Sequence, residues 1–242
     1  FDLQIEAEIL GCDLLWAKDN PPSVKSHPYS GEKKIPCACK IPNEESGRIP
    51  MILDVMRRMK AAVGEEVALY GLICGPFTLA SHLRGSGIFM DMIKDPEYVK
   101  NLVGFCSEVS CKMAEMYIEA GMDVIAVVDP LVSQISPKHI ENLLAESFRS
   151  VFSFVKSKGA YSSFFVCGNA TVQMKAMCET GPDNISVDEN VDMVLAKEKT
   201  DAYNIALGGN IPLTTTMLHG NQQDNMKFVV ELLDKLDHHN LI

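Results

Sequence analysis

The sequence predicts an α/β fold, and within that class a (β/α)8 TIM-type barrel, on three observations. Short apolar runs rich in β-branched residues alternate with longer segments of helical period, the pattern of parallel strands joined by crossover helices. The runs stop abruptly at small, polar or thiol residues, as barrel strands do at an active mouth, and Ser163-Phe164-Phe165-Val166-Cys167-Gly168-Asn169 is the clearest case. No glycine-rich phosphate loop follows Ala17 or Ile73, which argues against a doubly wound nucleotide binder.

Six strands are expected, at Leu14 to Ala17, Ala68 to Ile73, Val124 to Val128, Ser162 to Val166, Asn184 to Val187 and Asn204 to Leu207. Between the first two, Ile52, Val55, Met56, Met59, Ala62 and Val63 fall on one helical stripe, opened by Pro50 and closed by Gly64. A second stripe runs from Val99 to Ala120, with Asp95-Pro96 as N-cap and first turn and Gly121 as the stop. Ser136-Pro137 to Gly159 repeats the design, and Met226, Val229, Val230 and Leu233 make a last stripe. Residues 20 to 50 hold six of the twelve prolines and have no period, so a long loop is expected over the mouth. Six strands fall short of eight, and a fresh apolar run opens at Leu241-Ile242. The expectation is therefore a single barrel domain over 1–242, incomplete at both ends.

Composition narrows the function. With 47% hydrophobic and 22% charged residues, the 242-residue chain can bury a full core without disulfides, so its eight cysteines are read as reduced thiols. A net charge of −10 repels phosphate backbones and anionic lipid, which argues against nucleic acid and membrane partners. No run reaches the ~18 apolar residues of a membrane span, and the first residues lack a signal-peptide pattern; a cytoplasmic protein is expected. Cys37-Ala38-Cys39 could bind a metal, but no His or second thiol pair sits at finger-like spacing, so an incidental role is expected.

The strand ends collect Asp19, Cys74-Gly75-Pro76, Asp129-Pro130, Cys167-Gly168-Asn169, Asp188-Glu189 and Gly209-Asn210 on one expected rim. Read together, Gly75-Pro76-Phe77-Thr78-Leu79-Ala80, Val166-Cys167-Gly168-Asn169, Gly181-Pro182-Asp183-Asn184-Ile185-Ser186-Val187-Asp188-Glu189 and Gly208-Gly209-Asn210-Ile211-Pro212 resemble the uroporphyrinogen decarboxylase superfamily. Within it, the chain is most similar to the branch of corrinoid-linked methyltransferases. The resemblance implies a barrel with its site at the C-terminal mouth, and a methyl group passed between methylcobamide and a thiol or folate acceptor. It also implies a corrinoid, free or on a partner protein, and a small-molecule substrate; a homo-oligomer is left open.

Thiol-methylating members hold zinc with a His-x-Cys motif and a later cysteine. Cys167 matches the motif's cysteine, but Phe165 stands at the histidine position and cannot ligate a metal, so zinc is left uncertain. Asp19, His82, Asp129 and Glu189 are the expected catalytic groups, and Arg84, Asn169 and Asn210 the expected substrate contacts. The competing reading is a uroporphyrinogen decarboxylase, in which Asp19 occupies the place of the aspartate facing the pyrroles and His82 that of a tyrosine. Five arginines are thin support for binding a polycarboxylate, which needs paired guanidinium groups. A barrel that binds a corrinoid or tetrapyrrole without turnover is the third reading.

Overall fold

The computed structural model describes residues 2–242. Its centre is a five-stranded, all-parallel sheet of β3 (Tyr70–Cys74), β4 (Val124–Val128), β5 (Tyr161–Val166), β6 (Asn184–Val187) and β7 (Ala206–Gly208), paired in that sequential order. Consecutive parallel neighbours with helices between them are the repeating unit of an α/β barrel. Beyond β7, Leu241 bridges Leu207 in the same parallel sense, with Leu207 N–H donating to the Asn240 carbonyl at 2.8 Å and Ile242 N–H to that of Leu207 at 2.8 Å. The apolar run expected at Leu241 thus begins to pair as a strand.

The first expected strand is corrected. Leu14–Leu15 (β1) pairs antiparallel with Ser23–Val24 (β2) in a separate two-stranded ladder, leaving Trp16 and Ala17 exposed. The physical reason is local. Pro21-Pro22 cannot extend a ladder and turns the chain back on itself, so Leu14 finds its partner ten residues away rather than in the main sheet.

Each run forms a strand because it buries one face under the helices, and β4, central and apolar throughout, buries both. Ile73, Ile125, Val127, Phe164, Val166, Ile185 and Leu207 point to the helical layer and are fully buried or nearly so. There Phe164 meets Phe148 and Phe152 with ring centroids 4.6 and 5.3 Å apart, tying β5 to the Ala145–Ser157 helix. The opposite face carries the rows Leu72, Ala126, Ser163, Asn184, Ala206 and Cys74, Val128, Phe165, Ser186, Gly208, and is more polar. Asn184 Oδ1 accepts from Ser163 Oγ at 2.6 Å and Ser186 Oγ at 2.9 Å, and its Nδ2 donates to the Ala206 carbonyl at 3.1 Å, a hydrogen-bonded ladder across β5, β6 and β7.

The expected helices appear at Ile49–Val63, Pro96–Glu119, Pro137–Ser157 and Gln222–Leu233. Asp95 caps the second by accepting from Tyr98 N–H, Gly121 turns out of it at φ +99°, and the third carries a π-turn at Ile140–Leu144. Sequence reasoning missed the helices Ile5–Ile9, Pro76–Arg84, Gly87–Lys94 and Met193–Asp201; the first two are buried on several sides and lack a clean amphipathic period, and the last two are short, with Asp91 or Lys197 and Thr200 on the buried face and large apolar side chains on the exposed one. No helix among the described residues is long and apolar enough to cross a membrane.

Candidate functional site

The C-terminal ends of β5, β6 and β7 converge on a cleft of about 370 Å³ lined by Phe165, Ser186, Asp188, Glu189, Asn210 and Met217, with neighbours from the same loops. Asp188, one residue past β6, organises it. Gly168 N–H donates to its Oδ2, and Asn190 donates to its Oδ1 through both its backbone N–H and Nδ2. The buried Asn210 side chain donates to the Asp188 carbonyl at 3.0 Å and the Val191 carbonyl at 2.7 Å, fixing the β6 and β7 loops to each other. Glu189 is exposed and holds the next turn by accepting Leu213 N–H at 2.6 Å, leaving Oε1 without a protein partner.

Cys167 stands half-buried beside this network. Burial and then the Asp188 charge push its thiol up, so it is not poised as a free thiolate. Gly168 takes φ +85°, and a side chain there would crowd the Ser133 hydroxyl. The glycine lets the loop turn after the thiol while staying close to the β4 loop.

Among the described residues, this rim gathers too few donors for a zinc site. Phe165 presents a ring where the family's metal-binding members have histidine, the Asp188 oxygens are taken by N–H donors, and no group of three His, Cys, Asp or Glu among the described residues could hold a metal ion.

The remaining expected residues lie elsewhere. Asp129, fully buried at the end of β4, reaches across to the start of the Pro76–Arg84 helix and accepts from Phe77 N–H at 2.9 Å, Thr78 N–H at 3.1 Å and Thr78 Oγ1 at 2.6 Å. Burial pushes its carboxyl up to about 7 against these hydrogen bonds. It serves as the cap for a neighbouring helix, which accounts for all its visible contacts. A Cβ on Gly75 would overlap the Asp129 side chain, so the glycine is what lets the carboxylate reach.

His82 sits in the last turn of that helix, and burial lowers it to about 4, keeping the ring neutral. Its carbonyl accepts from His27 Nδ1 at 2.7 Å and the Cys12 thiol at 3.4 Å. Arg84 is committed to Asp91 Oδ2 at 2.7 Å and to the carbonyls of Tyr29 and Ser30. Asn169 is exposed and accepts Thr171 N–H at 3.1 Å. Asp19 is exposed on the turn between β1 and β2, outside the parallel sheet. Glu189 and Asn210 thus line the cleft and Cys167 stands beside it near Asp188, while Asp19, His82, Arg84, Asp129 and Asn169 are not part of its lining.

Sequence reasoning had Asp188 in view beside Glu189 but passed over it for its neighbour. The usable signal was its position immediately after a strand. The Ser163, Asn184 and Ser186 ladder was also missed, although three polar residues at facing positions of apolar strands were there to be seen.

The model of the uroporphyrinogen decarboxylase (URO-D) family matches residues 1–242. The chain belongs to the uroporphyrinogen decarboxylase family. Among family relatives, the methylcobamide:CoM methyltransferase MtbA of Methanosarcina acetivorans is 29% identical over 238 residues, covering 97% of this chain and 69% of the relative. MtbA of Methanosarcina mazei is 30% identical over 230 residues, covering 93% and 66%. A uroporphyrinogen decarboxylase of a Wolbachia from Brugia malayi is 29% identical over 241 residues, covering 96% and 66%. A solved methyltransferase from Methanosarcina mazei superposes with a TM-score of 0.85 at 27% identity, over 96% of this chain and 70% of that one. The chain spans about two thirds of the length of these family members.

Proposed function

We propose that the protein is a methyltransferase that moves a methyl group between a methylcobamide and a small-molecule acceptor at the β5–β7 rim. The observation that carries this reading is the 29–30% identity to methylcobamide:CoM methyltransferases over nearly the whole chain. The corrinoid is a methyl-donating substrate, free or on a partner protein, and gives up its methyl group while cobalt keeps the bonding electron pair. What this chain supplies is position and a proton acceptor. Glu189, with Oε1 unpartnered at the cleft, takes the acceptor's proton as the methyl group is transferred; Asp188 and Asn210 fix the loops that set its distance. Phe165 and Met217 keep that wall of the cleft apolar. No step is assigned to zinc.

Arginine usage favours this reading over decarboxylation. Arg48 pairs with Asp2 and Glu8, Arg57 with Glu44, Arg58 with Asp54 and Arg84 with Asp91, while Arg149 donates to the Glu179 carbonyl. None of the five lines the cleft, so among the described residues it has no guanidinium to hold a polycarboxylate.

The test is to follow the visible spectrum of methylcobalamin mixed with the protein and coenzyme M or another thiol. Thiol-dependent demethylation is expected, slowed about a hundredfold in Glu189→Gln. Carbon dioxide release from uroporphyrinogen without any demethylation would establish the decarboxylase instead.

A further inference from the structure

The eight thiols fall into two populations. Cys12, Cys74, Cys106 and Cys178 are buried, Cys111 and Cys167 are half-buried, and burial pushes all six thiols up. Cys37 and Cys39 alone are exposed, two residues apart on the Ala38–Lys40 turn. Cys37 is the N-cap of that turn, and its sulfur accepts Cys39 N–H at 3.3 Å. Hydrogen bonds from the Cys39 thiol and backbone N–H, helped by the Lys40 charge, hold Cys37 below the usual thiol range, while the Cys37 sulfur pushes Cys39 above it against that same charge. In so tight a turn the two Cα atoms lie roughly 5–6 Å apart, inside the span of a disulfide. One accessible, stabilised sulfur next to a second accessible thiol is the arrangement of an attacking and a resolving cysteine.

We infer that Cys37 and Cys39 form a redox-active dithiol, with Cys37 attacking a low-molecular-weight disulfide of the glutathione class and Cys39 resolving the product. In the first step the Cys37 thiolate forms a bond to one sulfur of the external disulfide, whose S–S bond breaks and releases one thiolate with the bonding pair. In the second, Cys39 gives its proton to solvent, bonds to the Cys37 sulfur and expels the second thiolate. Two protein thiols are oxidised and one external disulfide is reduced to two thiols. The site is separate from the cleft, whose lining includes neither cysteine, and stands or falls independently of methyl transfer.

The sequence supplies a clean assay. Trypsin cuts after Lys34 and Lys40, so the peptide Ile35–Lys40 carries both of these cysteines and none of the other six. After incubation with oxidised glutathione, alkylation and digestion, this peptide is expected unalkylated and lighter by two hydrogen atoms than its dithiol form. Cys39→Ser should trap one glutathione on Cys37, and Cys37→Ser should react about tenfold more slowly than Cys39→Ser. A doubly alkylated wild-type peptide, equal rates in the two variants, or disulfides formed only between protein copies would each overturn the inference.

Discussion

Glu6 is the residue whose chemistry is least expected from its surroundings in the sequence. It lies on the Ile5–Ile9 helix, 1% exposed, and its Oε1 accepts the N–H of Cys74 on the free edge of β3 at 2.9 Å. Its other oxygen and the nearby Tyr117 hydroxyl are buried without partners. Burial pushes the Glu6 carboxyl up to about 7 from an ordinary value of 4.5. As pH rises from 4.5 towards 7 the unfolded chain loses this proton while the folded chain keeps it, so the stability present at low pH is lost as pH passes through 7. Glu6→Gln keeps an acceptor and has no proton to lose. Between pH 4 and pH 8 the stability difference should shift in favour of the variant by on the order of 3 kcal/mol, read from urea unfolding at each pH. A difference that stays flat across that range would show that Glu6 titrates alike in the folded and unfolded chain.

At the scale of elements, β5 shows how one strand serves core and site. Phe164 points to the helices and joins the aromatic cluster with Phe148 and Phe152, whereas Phe165, one residue on, is half-buried and lines the cleft. Phe164→Ala should cost about 3–5 kcal/mol and lower the unfolding midpoint, because it opens a cavity in a packed cluster. Phe165→Ala should cost much less and act on turnover instead. Equal losses of stability would mean that the alternation of faces is misplaced. The strand interiors were legible in the sequence, β4 and β6 to the residue, since an apolar run with β-branched residues has few other ways to be buried. The short helices were not, because Pro76–Arg84 is buried on most of its surface and its N-terminus is satisfied by Asp129, 52 residues from Phe77 along the chain.

At the scale of the molecule, the proline-rich stretch over 20–50 was expected to be a long loop, and the structure shows what fastens it. Arg84 donates to the carbonyls of Tyr29 at 3.1 Å and Ser30 at 2.5 Å and pairs with Asp91, which also takes Lys33 at 3.1 Å. Arg84→Ala removes the centre of this clasp and leaves the buried Asp91 with one cation. Trypsin cleavage after Lys33 and Lys34 should become about tenfold faster, as a local opening easier by about 1.4 kcal/mol requires. Unchanged cleavage would locate the fastening elsewhere in the loop.

The sequence by itself determined the fold class and the family, because strand length, apolar run and turn residue are local properties that repeat along the chain. It also placed Cys167, Glu189 and Asn210 at strand ends. Only the tertiary structure decided what those ends do. Whether a carboxylate meets solvent or a helix N-terminus depends on partners tens of residues away, so Asp129 became a buried cap and Arg84 a clasp. Asp188, unremarkable as a residue type, became the centre of the rim because the β5, β6 and β7 loops close around it.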